Sequence, residues 1–203
     1  VGLRELKAER TRASLHTAVL ELAEERGYEA VTVEQVADRA EVGVSTLYRY
    51  FPNKDAILLD PVERDVGVLA AAFRARPAAE TEDVALGHAL THFLTAASAD
   101  PVRLGRLRAQ LDHAPGPRAR LWDLWNQQRA LLEEAIAERA GTSPTDLRVA
   151  LAAHLTTTVA QLVLDRQRDA VDEPALGDVL DEVARVLDAT ATLVPRLPPR
   201  QDT

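Results

Sequence analysis

Between residues 45 and 54 the sequence gathers Ser45, Thr46, Tyr48, Arg49, Tyr50 and Lys54. Hydroxyls, phenol rings, a guanidinium and an ammonium at this density suit phosphate oxygens and base edges. Lys54 follows Asn53, a residue type that caps helix starts. An ammonium beside free helical N–H groups is a phosphate-binding arrangement. Catalytic patterns are poor by comparison. The chain lacks G-x-S-x-G, H-E-x-x-H, a P-loop and G-x-G-x-x-G. Asp112 and His113 are neighbours and so point to different faces of a helix. Glu24-Glu25 and Glu133-Glu134 read as solvated pairs. His88 and His92 have the i, i+4 spacing that can place two imidazoles on one metal. No third ligand is fixed near them, so they read as surface or core residues and no metal or cofactor is expected.

Two short helices must position the polar cluster. Thr32 with Gln35 three residues on forms a capping-box pattern opening a helix over 33–40, with Val36, Ala37 and Ala40 inward. Glu41-Val42-Gly43 makes a tight turn. A second helix over 44–50 carries Val44, Leu47 and Phe51 on one side, and Pro52 ends it. Helix, glycine-containing turn and helix at this spacing is a helix-turn-helix, with Val36, Ala37, Val42 and Leu47 holding the crossing. The same pattern also fits a plain corner of a helical bundle. Upstream, a helix from about 6 to 26 aligns Leu15, Val19, Leu22 and Ala23 and stops at Gly27. A fourth helix starts at Lys54, with a kink expected at Pro61 and helical pattern resuming over 63–74. A linker spans 76–82. Further helices are expected at about 83–98, 101–112, 118–140, 145–168 and 175–193. Residues 195–203 read as a disordered tail.

The chain has 203 residues, 46% hydrophobic and 28% charged, with no cysteine. This is an ordinary globular composition without disulfides or thiolate metal sites. No apolar run approaches the ~18 residues of a membrane span, and the first residues lack a secretory core, so a cytoplasmic, non-membrane protein is expected. A net charge of −8 disfavours indiscriminate coating of nucleic acid. Residues 1–60 hold eight Arg/Lys against eleven Asp/Glu. Any DNA-binding charge must therefore be local: Arg4, Lys7, Arg10, Arg12, Arg39, Arg49 and Lys54.

The stretch TVEQVADRAEVGVSTLYRYFPNKDAIL (32–58) resembles the DNA-binding segment of the tetracycline-repressor (TetR) family of bacterial transcription regulators. The preceding RTRASLHTAVLELAEERGYEAVTV (10–33) is similar to that family's first helix and its Gly-Tyr exit. The resemblance implies an all-α homodimer in which each subunit carries a three-helix head on a helical body. It implies DNA-phosphate contacts for Thr46, Tyr48 and Lys54, and groove-facing positions for Val44, Ser45, Arg49 and Tyr50. It places Thr32 where helix amides meet the DNA backbone. Glu41, Gly43 and Ser45 depart from the family's usual Gly, Ser/Thr and Gly, and Glu41 is expected to point away from phosphate.

The expected division is a DNA-binding domain at 1–58, a ligand-binding and dimerisation domain at 59–194, and the tail. In the body, Leu147, Leu151, Leu155 and Leu162 share a helix with the polar run Thr156-Thr157-Thr158. The wide apolar stripe of 175–193 would bury against its own subunit and a partner together. The resemblance implies a homodimer face made by the last two long helices, 145–168 and 175–193, and this patterning supports it. Candidate ligand-binding residues are Phe93, Leu107, Arg108, Leu111, Trp122, Trp125, Gln128 and Arg129, a largely apolar set with a few polar groups. The segment LAAAFRARPAAETED (69–83), with the bundle pattern after it, resembles members with acyl-coenzyme A-like ligands. Arg103, Arg106 and Arg108 could then meet ligand phosphates. The functional expectation is a non-enzymatic, ligand-responsive repressor at a pseudo-palindromic operator. A helical ligand carrier or small enzyme with a helix-turn-helix-like corner, and a structural dimerisation protein, are the competing classes.

Overall fold

A computed structural model describes residues 2–169 and 176–189. The proposed tail, 195–203, and the last residues of the expected 175–193 helix lie outside that range. Eleven α-helices are described, with no strand among the described residues. They are α1 (Leu3–Arg26), α2 (Val33–Arg39), α3 (Val44–Tyr50), α4 (Lys54–Leu58), α5 (Asp60–Asp65) and α6 (Val68–Arg74). The body continues with α7 (Glu82–Ala97), α8 (Pro101–His113), α9 (Pro115–Ala140), α10 (Leu147–Asp169) and α11 (Leu176–Ala189). The all-α expectation holds.

Local chemistry sets the ends. Thr32 and Gln35 exchange side chain-to-backbone bonds at 3.3 and 3.1 Å, so the capping box of α2 is real. Asn53 Oδ1 accepts from the Ala56 amide at 2.8 Å and opens α4. Pro101 and Pro115 stand at the starts of α8 and α9, where a missing N–H costs nothing. Between α4 and α6 the chain breaks twice. Leu59 leaves helical geometry and Pro61 restarts the chain in α5. Gly67, at φ +91°, then separates α5 from α6. The continuous helix expected over 63–74 is therefore wrong: Val66 turns extended and Gly67 takes the left-handed conformation that favours glycine.

Two apolar clusters form the interior. One joins α1–α4 with Leu107 and Leu111 of α8, Leu124 of α9 and Ala114 between those two helices. The other unites α6, α7, α9, α10 and Val179 of α11. Head and body thus share the first cluster. One stretch, 147–166 in α10, is long and apolar enough to span a membrane by length and composition, contrary to the expectation of no such run. Its Val149, Ala153, Ala160 and Val163 are buried inside the bundle, while Leu147, Leu151, Leu155 and Leu162 are exposed on its other side.

Candidate nucleic-acid interface and bundle cavity

The α2–α3 corner is tied by the Val42 amide donating to the Ala37 carbonyl at 2.9 Å. Val36, Ala37 and Leu47 are fully buried beneath it, with Val42 and Val44 packed alongside. Glu41 makes the turn at φ +56°. A side chain there is strained by ~1 kcal/mol, which gives the glycine usual in similar sequences a physical reason.

This packing sorts the polar cluster. Ser45, Tyr48 and Arg49 are exposed along α3, and Thr32 is exposed at the start of α2. Thr46 is half-buried. Val44 and Tyr50 lean on the head core, with Tyr50 tilted 6.5 Å from the Phe51 ring. Their outward surface is correspondingly small.

Lys54 does something the sequence reading did not include. Its ammonium donates to the carbonyls of Tyr28, Glu29 and Val31 at 2.9, 3.3 and 3.2 Å, and sits 4.4 Å from the Tyr28 ring centre. Tyr28, whose hydroxyl donates to Asp55, is buried in the same corner. Here the charge satisfies the end of the turn after α1; it does not project outward. Arg12 and Arg39 are also engaged. Arg12 pairs with buried Asp60 at 2.5 Å and lies over the Phe51 ring; Arg39 binds Glu21 and Glu25. Arg4, Lys7, Arg10 and Arg49 form no ion pair among the described residues.

Beneath the head, α5, α7, α8, α9 and α10 line a half-open cavity of about 480 Å³. It brings together six of the eight expected ligand residues: Phe93, Leu107, Arg108, Leu111, Trp125 and Gln128. Phe93 and Trp125 meet edge to face at 6.2 Å. Trp122 and Arg129 require correction. Trp122 is 63% exposed and lines a smaller neighbouring pocket with Arg108, Leu111 and Trp125, outside the main cavity. Arg129 points toward Glu133, 3.5 Å away, outside the cavity lining. Sequence reasoning missed the α5 wall, Val62, Asp65 and Val66, which depends on the breaks at Leu59 and Gly67. Of the three arginines on α8, Arg103 and Arg108 line the cavity, whereas Arg106 chelates Glu24 of α1 at 2.6 and 2.9 Å. The three do not form one phosphate cluster.

His16 links cavity and head. Fully buried, its Nε2 donates to the Leu58 carbonyl at 3.1 Å, while Nδ1 accepts from Arg103 Nε at 3.0 Å. That pair of bonds fixes a neutral ring protonated on Nε2. Burial, reinforced by the Arg103 charge, lowers its pKa to about 4. Leu58 ends α4, so one imidazole joins α1, the α4 terminus and a cavity-lining arginine. Nothing in the sequence around His16 signals this.

A head with a helix-turn-helix, set on a hollow helical body, defines a DNA-binding regulator fold. The comparisons agree. Residues 15–60 match the model of bacterial regulatory proteins of the tetR family, and residues 80–192 match that of the MftR C-terminal domain. The chain belongs to the TetR family. It is similar to the HTH-type transcriptional regulator TcmR of Streptomyces glaucescens, 42% identical over 79 residues, 39% of this chain and 35% of TcmR. It is also similar to the HTH-type transcriptional repressor KstR of Rhodococcus jostii, 52% identical over 48 residues, 24% of this chain and 23% of KstR. The chain thus matches about a third or less of these relatives' lengths. Among solved structures, FadR of Bacillus subtilis in complex with stearoyl-CoA superposes with a TM-score of 0.61 at 18% identity, over 86% of this chain and 96% of FadR. At that identity the likeness is one of fold.

Proposed function

We propose that this chain represses transcription as a homodimer on a pseudo-palindromic operator, and leaves the operator when a small molecule fills the bundle cavity. The observation that carries this reading is the α2–α3 corner, which exposes Ser45, Tyr48 and Arg49 on one short helix. Residues 1–58 act as the reading head and 59–194 as the effector and dimerisation body, in the cytoplasm. Thr32, Ser45, Thr46, Tyr48 and Arg49 make the principal DNA contacts, with Val44 and Tyr50 at the edge. Lys54 supports the head from within and offers phosphate only what its engaged ammonium leaves.

Exposed Leu147, Leu151, Leu155 and Leu162 run down α10 at helical spacing, and α11 packs beside it. This stripe supports dimerisation through α10 and α11. The cavity's size and apolar walls fit a small-molecule effector. The FadR likeness makes an acyl-coenzyme A-like molecule the first class to test, with its acyl chain inside and its polar end toward Arg108.

Electrophoretic mobility shift against promoter fragments from the chain's own genomic neighbourhood tests the reading. One palindromic fragment should shift, with half-sites about 34–36 Å apart or a multiple of that. Arg49→Ala should lose about 1–3 kcal/mol of operator affinity at unchanged melting temperature. Equal binding to all duplexes would overturn the reading.

A further inference from the structure

The cavity wall contains several charged groups, and the fold engages most of them. Arg64 pairs with Glu9 and Arg108 with Asp165 at 2.8 Å, while Arg103 donates to the neutral His16 ring. Asp100 caps α8 by accepting from the Arg103 amide. Asp65 lies in the field of Arg64 and Arg103. Gln128 is different. It is 3% exposed, and its Oε1 accepts from the Gly67 amide at 2.5 Å, which fixes which end of the carboxamide is oxygen. The other end, Nε2, is buried with no hydrogen-bond partner. Among the described residues one other buried side-chain nitrogen shares that state, Arg129 Nε, and Arg129 does not line the cavity.

A buried amide donor left unpaired costs about 1–3 kcal/mol, so such a group in a native wall calls for a partner. We propose that Gln128 is the specificity residue of the cavity: its Nε2 donates to a neutral acceptor oxygen, of carbonyl type, on an otherwise apolar effector. The charge balance of the wall argues against a full charge on the buried part of that molecule. Apolar neighbours Phe93, Leu107 and Trp125 take the hydrocarbon. The Gly67 amide holds the carboxamide oriented, so the donor is set before the ligand arrives. A ketone, ester or thioester carbonyl meets the requirement; a hydrocarbon of the same shape does not. The inference rests on the cavity being an effector site, as proposed above.

A matched pair of probes tests it on the full chain. 2-Acetylnaphthalene and 2-ethylnaphthalene share a skeleton and differ by a carbonyl in place of a methylene. Their affinities are measured by quenching of tryptophan fluorescence, for the wild type and for Gln128→Met and Gln128→Glu. Comparing the ratio of the two dissociation constants between wild type and variant cancels the difference in hydration between probes. Replacing Gln128 by Met should shift that ratio against the ketone by roughly three- to tenfold, the worth of one neutral hydrogen bond. Gln128→Glu keeps an acceptor for Gly67 but has no amide donor, and should shift the ratio the same way if Met disturbs folding. The carbonyl stretch of the bound ketone should lie at lower frequency in the wild type than in either variant. An unchanged ratio in a folded variant, or an unshifted stretch, overturns the assignment of Gln128 while leaving the cavity as a binding site. Failure of both probes to bind the wild type overturns the effector-site reading and this inference with it.

Discussion

Lys54 shows how one side chain can answer two different expectations. Its place after Asn53 suggests an outward phosphate contact. Its geometry closes three carbonyls at the end of the turn after α1, with the Tyr28 ring below. Lys54→Met should therefore lower the stability of the protein by about 2 kcal/mol, the scale of hydrogen bonds from a charged donor, measured by urea denaturation. Unchanged stability with weaker operator binding would return Lys54 to a purely external role. Arg49 lies 5.3 Å over the Tyr50 ring but closes no backbone carbonyl, which makes Arg49→Ala the cleaner probe of DNA contact. The chemistry of the α3 residues was legible because side-chain type is printed in the sequence. The engagement of Lys54, Arg12 and Arg39 was not, because each partner comes from a distant segment.

At the scale of elements, α1, α2 and α3 could be read from capping and spacing. Thr32, Gln35 and Gly27 each announce a helix end through local bonds, and the apolar positions 36, 37 and 47 announce a crossing. The segment from 54 to 74 was harder. Pro61 signals a disturbance, but the break at Gly67 depends on Gln128 of α9 receiving its amide. The cavity's fifth wall was invisible for the same reason. His16 makes a testable element-scale case, because it ties α1 to the end of α4 and to α8. An unfolded histidine has a pKa near ~6.5. In the folded chain the value is about 4, so the unfolded state binds the proton more readily between those values. Stability from this site is complete above about pH 6.5 and declines as pH falls toward 4, by roughly 3 kcal/mol in all. His16→Gln should remove this part of the slope in denaturation midpoints measured from pH 7 to pH 4.5. An equal slope in both proteins would mean the ring is protonated or solvated in the native state.

Across the whole molecule, one apolar cluster runs from the head into α8 and α9. Leu107, Leu111 and Leu124 belong to it and also line the cavity. A molecule entering the cavity therefore presses on residues the head is built on. On the proposed reading, this sharing would give effector and operator a route to compete, with coupling of about 1–3 kcal/mol typical of such systems. On the reading proposed above, the exposed stripe of α10 sets the assembly. Leu155→Asp should weaken self-association by roughly tenfold or more without unfolding the subunit, read by light scattering across a dilution series. Operator binding should fall with it, since one head alone spans one half-site. A dimer that survives the substitution would place the interface elsewhere.

The head's engaged cations carry one more implication. With Arg12, Arg39 and Lys54 occupied at home, only a handful of positive groups remain to displace ions from a duplex. On the reading proposed here, random chromosomal sequence holds such a protein loosely. It would locate its target by repeated landing and departure instead of long one-dimensional glides, and its residence there would owe more to fit than to charge.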